Sequence, residues 1–373
     1  AEIRLARNAE RAAVASLRRD LIRVVSDTER AYWQLALAQR NLQISERLVQ
    51  RGLEVRDQIR QRAELDARPA RIAAAEARVE RRRADVLRAQ LQVRAASDRL
   101  KTLMNDPELP VGSEVVVLTS DRALDQPVEF SLADALRSAL LRRPEMEQSL
   151  LTIDDTSIRQ VVAANARLPQ LDLRLQARLA ALEADPADAF SEVTRGGFVD
   201  YLAGLVFEYP LGNRRADAEF RRRRIERMQA VIAYRNTAQQ VVAEVKGALD
   251  QVVLNYRLIS QTAVSRLAAA EELRALGVEK ALREGYTAEQ LDLELNRQEA
   301  LAQTEREEAQ ALIEYNVAIA TLYGATGAAL ERNRIRFVVP RADEALSGLA
   351  GVEEFPGARG AGPGGNAGTG GAP

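Results

Sequence analysis

Shifting the chain by 217 residues lays one long helical pattern over another without a gap. Ala1-Glu2 then meets Ala218-Glu219, Arg4 and Arg7 meet Arg221 and Arg224, and Val24-Val25 meets Val241-Val242. Ala31, Gln34, Leu37 and Arg40 fall on Ala248, Gln251, Leu254 and Arg257, and thirteen of the first forty positions are identical. Biased composition gives a few matches by chance, but not this many in one register, so the chain reads as a duplication. Each half must build the same unit, and each unit is dominated by one very long helix. Aromatics at 4% against 46% hydrophobic residues fit that reading, because long helices packed through Ala and Leu need few large rings.

Composition removes whole classes of function. There is no cysteine, hence no disulfide framework, thiolate nucleophile or cysteine-held metal. There is no histidine, the commonest general base and metal ligand. Lys+Arg at 53 against Asp+Glu at 54 argues against a nucleic-acid binder, which carries a basic excess. No stretch approaches the ~18 uninterrupted apolar residues of a spanning helix. Membrane β-strands alternate and escape that test. No paired, motif-spaced set of carboxylates or lysines marks an enzyme, and no cofactor is expected.

Five segments follow along the chain. Residues 1–106 read as a helical hairpin: one helix to about residue 62, a break at Arg68-Pro69, and a second helix from Pro69 to Met104. Residues 107–167 begin irregularly, with a short β-like run at Val115–Leu118. A helix at Leu132–Leu141 follows, with Ser131 as its N-cap, and another starts at Arg143-Pro144-Glu145. Residues 168–213 change period. Leu171, Leu173, Leu175, Ala177 and Leu179 alternate with Asp172, Arg174, Gln176 and Arg178, which predicts a strand with one wet face. A second strand, around Gly197 to Tyr209, sets Tyr201, Ala203, Leu205, Phe207 and Tyr209 on one face. Five aromatics fall between Phe190 and Tyr209, as where a barrel meets a bilayer interface. From the strands alone, a soluble sheet with one solvated face fits equally well. Residues 214–327 form the second hairpin, with a helix from Arg214 to about Glu284, a break at Gly285 and a last helix from Ala288 to about Tyr323. Residues 328–373 close the chain with a glycine-rich tail expected to be disordered.

The second unit has two strands ahead of its long helix. The first unit starts at the position equivalent to Ala218, so its strands are expected upstream of Ala1, and the sequence is read as lacking them.

Duplicated strand–strand–long-helix–break–helix units resemble the TolC-like outer-membrane efflux family, from residue 1 to about 327. Arg143-Pro144-Glu145 resembles the family's Arg-Pro-Glu ahead of the helix that feeds the strands. Leu168-Pro169-Gln170-Leu171 resembles its entry to the first strand, and Tyr209-Pro210-Leu211-Gly212 its exit from the second. Arg283-Glu284-Gly285 with Leu291-Asp292-Leu293 resembles its helical-hairpin tip, and Glu314-Tyr315-Asn316 through Gly327 the end of its last helix. Two departures stand out. The first tip has Ala63-Glu64-Leu65 where the family places a glycine before an apolar residue. At the second, Asp292 is followed by Leu295 and Asn296 where the family often has two aspartates three residues apart.

The resemblance implies a mainly α fold with a small membrane β-hairpin, three chains closing one barrel of strands, and a helical tunnel reaching into the periplasm. The implied function is a passive exit duct in the bacterial outer membrane. Its implied partners are two further copies of itself, a periplasmic adaptor (membrane fusion) protein, an inner-membrane pump and outer-membrane lipid, with no nucleic acid. Residues 107–167 would then be the equatorial segment. Asp172, Arg174, Gln176 and Arg178 would face a wet lumen, and Ala63, Leu65, Arg283, Gly285 and Tyr286 would mark the adaptor-docking tips. Asp292, Asn296 and Glu289 are candidates for the pore constriction; the plain alternative pairs Asp292 with Arg283 or Arg297. The run Arg221–Arg224 reads as a solvated helix face balanced by Asp217 and Glu219 rather than a phosphate site. A soluble coiled-coil protein and a periplasmic adaptor are the competing readings. The amphipathic strands oppose the first; two hairpins at a 217-residue repeat oppose the second.

Overall fold

Prolines and caps set where the long helices begin and end. The computed structural model describes residues 1–62, 68–180, 198–282 and 287–338. Helix α1 runs Glu2–Gln61 and α2 runs Pro69–Met104. Arg68 is held extended by the proline that follows it, and Pro69 occupies the first turn, where its missing N–H costs nothing. Asn105 ends α2 in the left-handed conformation, φ 47°. Helix α3 spans Leu132–Arg142, with the Ser131 hydroxyl accepting from the Asp134 N–H as expected for an N-cap. Helix α4, Pro144–Asn165, leads into strand β1, Gln170–Ala180, and β2 follows at Phe198–Glu208. Helix α5, Arg214–Leu282, and α6, Ala288–Ala325, form the second hairpin, and a single turn, α7, spans Ala329–Arg332. Thr287 caps α6 in a reciprocal capping box with Gln290.

Residues Ala1–Ile335 fold as one unit, and of the second, Arg336–Pro373, only 336–338 are described. In the first unit α1 packs on α2 and α6, and α6 on α5, so the helices run in the order α2, α1, α6, α5. Toward the strands, α4 takes the place of α6 between α1 and α5. Gly327 makes that handover possible. Its φ is +71°, and a Cβ there would lie 3.2 Å from the Arg142 carbonyl carbon. At the junction the half-buried Glu145 of α4 accepts from Arg143 at 3.0 Å, and Glu244 of α5 accepts from the same guanidinium.

Apolar stripes fill the contacts. Ala31, Leu35 and Ala38 of α1 meet Val93 and Leu100 of α2. Val241, Val245 and Val252 of α5 meet Tyr315, Ile319 and Leu322 of α6 and Ala139 of α3. Near the helix turns, Val55, Ile59, Ala75, Leu291 and Leu295 bring α1, α2 and α6 together. Small residues in these stripes let the long backbones approach closely.

Residues 107–130 form a belt rather than a strand. The β-like run expected at Val115–Leu118 has no partner strand among the described residues; side chains of the helices serve its backbone instead. Val117 N–H donates to Ser97 Oγ at 3.0 Å, and Gln39 Nε2 donates to the Val117 carbonyl at 3.1 Å. Farther along, Tyr32 bonds Asp121, Asn316 takes both backbone groups of Leu124, and the fully buried Tyr315 hydroxyl joins Val128 and Gln126. The belt thus crosses α2, α1 and α6 in turn on one face. Alternating hydrophobicity fits any half-buried extended segment, and only a neighbour supplies a ladder.

Candidate functional site: the strand pair and the helix turns

β1 and β2 pair antiparallel, and their register sorts the side chains. Leu171 lies opposite Phe207, Leu173 opposite Leu205, Leu175 opposite Ala203 and Ala177 opposite Tyr201. That face is apolar throughout and fully open; Leu175 is 72% exposed. The opposite face carries Asp172, Arg174, Gln176 and Arg178, paired with Val206, Gly204, Leu202 and Asp200. The four expected wet residues therefore share one face, but β2 adds Val206 and Leu202 to it. Each strand has 11 residues. At ~3.3 Å per residue and a tilt of about 45°, such a strand covers roughly the 25 Å apolar band of a membrane barrel. Among the described helices, none is long and apolar enough to cross a membrane.

The other candidates sit at the far end of the long helices. Ala63, Leu65, Arg283, Gly285 and Tyr286 lie outside the described residues. Asp292, Asn296 and Glu289 are on the first turns of α6, and arginines of α2 meet each of them. Asp292 Oδ1 is 3.4 Å from Arg78 Nη2, and Asn296 Oδ1 accepts from Arg78 Nη1 at 2.7 Å. Glu289 is 82% exposed and 3.8 Å from Arg71. Arg297 pairs with Glu272 of α5 at 2.6 Å. Asp292 thus has a described partner in the first hairpin, and its side chain remains 44% exposed.

Next to this cluster lies a residue that the sequence reading passed over. Arg82 of α2 is 5% exposed. Its Nη1 donates to the Leu48 carbonyl of α1 at 3.1 Å and to Gln298 Oε1 of α6 at 3.0 Å. Nη2 donates to the Leu295 carbonyl at 2.9 Å, and Nε lies 3.4 Å from Glu299. Burial pushes this guanidinium below its ordinary pKa, with Glu299 opposing the shift. Gly52 of α1 leaves the space: a Cβ there would stand 2.6 Å from Nη1. One side chain therefore ties three helices. The signal was present as an arginine on the stripe Ala75, Val79, Arg82, Ala89, Val93, facing a glycine on the stripe Leu48, Gly52, Val55, Ile59. Lys280 of α5 makes a similar tie, to Gln58 of α1 and to Glu294 of α6 at 3.0 Å.

The run Arg221–Arg224 lies near the strand end of α5. Arg222 and Arg223 each pair with both Glu219 and Glu226, so that face is locally balanced.

No protein-family model and no curated protein matches the chain. Solved structures share its fold. The CmeC outer membrane channel of Campylobacter jejuni superposes with a TM-score of 0.68 at 18% identity, over 87% of this chain and 67% of that one. The open state of the Neisseria gonorrhoeae MtrE outer membrane channel gives 0.72 at 19%, over 88% and 71%. The outer membrane protein VceC of Vibrio cholerae gives 0.70 at 16%, over 87% and 74%. The expected architecture of long paired helices with a small strand pair is the one observed, and the chain has the TolC-like fold of these outer-membrane channels.

Proposed function

We propose that this chain is a subunit of a passive exit duct in the bacterial outer membrane, with its helices extending into the periplasm. The observation that supports it best is the strand pair. One face is apolar in every described pair and is covered by nothing among the described residues. A two-stranded sheet is marginal in water and leaves both edges unpaired, which lipid does not tolerate. Strands from further copies remedy both defects by closing a barrel. Three copies are the proposed assembly, with Asp172, Arg174, Gln176 and Arg178 toward the wet interior and the leucines toward lipid.

At the opposite end the helix turns are the proposed dock for a periplasmic adaptor, which would deliver cargo from an inner-membrane pump. Ala63, Leu65, Arg283, Gly285 and Tyr286 are the residues proposed to meet it, helix against helix. Asp292, Asn296 and Glu289 are proposed to line the narrow end. A ring of acidic side chains around an axis would favour cations over anions. The test of the duct is direct. The full-length protein should fractionate with detergent-extracted outer membrane, migrate as a trimer after cross-linking, and open a stable pore in planar bilayers. Recovery as a soluble monomer without conductance would refute it.

A further inference from the structure

We propose that the groove at the helical handover binds organic cations with an apolar body. The proposal rests on the duct reading for its setting, and on the groove alone for its chemistry. The groove lies between α1 and α5, over the end of α6 and the start of α4, and has a volume of about 1000 Å³. Ligand sites run from about 300 to 1,000 Å³. Ile22, Leu37, Pro144, Ala248, Ile313 and Val317 supply its apolar lining.

The charges at its rim cancel with one exception. Arg143 holds Glu145 and Glu244, Arg19 and Arg23 hold Asp20, and Arg30 holds Asp27. Glu314 has no cationic partner among the described residues; Gln310 Nε2 donates to it at 2.7 Å. Ser26 Oγ, beside Gly324 on the wall, is buried without a hydrogen bond to any described residue. An apolar floor with one uncompensated carboxylate at its edge selects a ligand. An organic anion would meet the carboxylate unpaired. A bare inorganic cation would gain nothing from the floor. A cation carried on an apolar body satisfies both.

The groove also faces a definite way. The belt of residues 107–130 takes Tyr32 and Gln39 of α1 and Tyr315 and Asn316 of α6. The groove takes Arg30, Gln34 and Leu37 of α1 and Val317, Thr321 and Gly324 of α6, on the other side of both helices. A belt inside a duct would block it. In the duct reading the belt therefore runs outside, and the groove opens to the bore, where cargo passes.

The experiment titrates rhodamine 6G, a cation on a fused-ring body, against the detergent-purified protein, read by fluorescence anisotropy. Fluorescein, the anionic counterpart, is the control. A Cβ at Gly247 meets nothing within 4 Å, so Gly247→Leu fills the groove without a clash. Leucine is also the better helix former. Saturable binding of rhodamine 6G is expected, with none of fluorescein. Gly247→Leu should weaken it at least tenfold, and Glu314→Gln about fivefold, the size of one exposed ion pair. Equal binding of both dyes, or unchanged binding in Gly247→Leu, would overturn the proposal. The readout needs no pore. In the full-length protein, binding without conduction refutes the duct, and conduction without binding refutes the groove.

Discussion

Gly52 and Arg82 should be coupled so strongly that one substitution changes sign with the identity of the other. An alanine at position 52 brings a Cβ to 2.6 Å from Arg82 Nη1. The guanidinium must leave some of its acceptors, Leu48 O, Gln298 Oε1 and Leu295 O, while remaining buried. Breaking a buried charged group away from its partners costs about 3–5 kcal/mol, and a partial displacement about 2–3. Against this stands about 1 kcal/mol gained when alanine replaces a helical glycine. Gly52→Ala alone should therefore destabilise by about 1–2 kcal/mol. In an Arg82→Met background no guanidinium is displaced, and the same alanine should stabilise by about 1 kcal/mol. Arg82→Met itself should cost about 2 kcal/mol, chiefly through the Gln298 amide, which is 3% exposed and loses its partner. The pair would then show a coupling of about 2–3 kcal/mol. Thermal melting of the purified protein, followed by far-ultraviolet circular dichroism, reads this at about 2 °C per kcal/mol. If alanine at position 52 raises Tm in both backgrounds, the guanidinium does not occupy the notch and the three-helix tie is not real.

Four further outcomes follow from other parts of the molecule. Gly327→Ala forces a left-handed residue to carry a Cβ against the Arg142 backbone, and should lower stability by about 2 kcal/mol, measured as a drop in Tm. Burial raises the Glu145 pKa, but the hydrogen bond and charge of Arg143 outweigh it and leave the group below the ordinary 4.5. Its contribution to stability is therefore present above that value and lost as pH falls through the depressed one, so Tm should decline in acid and Glu145→Gln should flatten the decline. Leu175→Arg, in the middle of the apolar strand face, should cost about 2–4 kcal/mol of insertion and deplete the membrane fraction, while Arg174→Leu should leave it full. In the full-length protein, Asp292→Ala should weaken block of single-channel current by multivalent cations; unchanged block and conductance would remove Asp292 from the pore and move the search to Glu289.

Features set by adjacent residues were legible in the sequence. Pro69 and Pro144 start helices because a proline constrains itself and its predecessor, and Ser131 caps α3 because the hydroxyl reaches an N–H three residues on. The strand faces followed from period two, and the observed register puts the expected leucines opposite Phe207 and Leu205. Features set by a distant neighbour were not. Nothing local told the extended run at Val115–Leu118 that its backbone would bond to Ser97 and Gln39 instead of a strand. Nothing near Asp292 pointed to Arg78, and the two arginines considered for it, Arg283 and Arg297, were the ones close in sequence.

The duplication shows the same division within a single comparison. Ala31 and Ala248 are equivalent and both buried, as are Leu35 and Val252, because each pair faces the second helix of its own hairpin. Val24 and Val241 are equivalent too, yet Val24 is 42% exposed and Val241 2%. The difference lies outside both helices. Helix α3 packs on α5, and Ala135 and Ala139 share the cluster that buries Val241. In this pair, one side chain at two equivalent positions meets different surroundings according to what a third element covers. Burying a valine that would otherwise be exposed stabilises by about 1.5 kcal/mol or more. Substituting Val241 with alanine should therefore cost markedly more than substituting Val24, although the sequence presents the two as the same residue at the same repeat position.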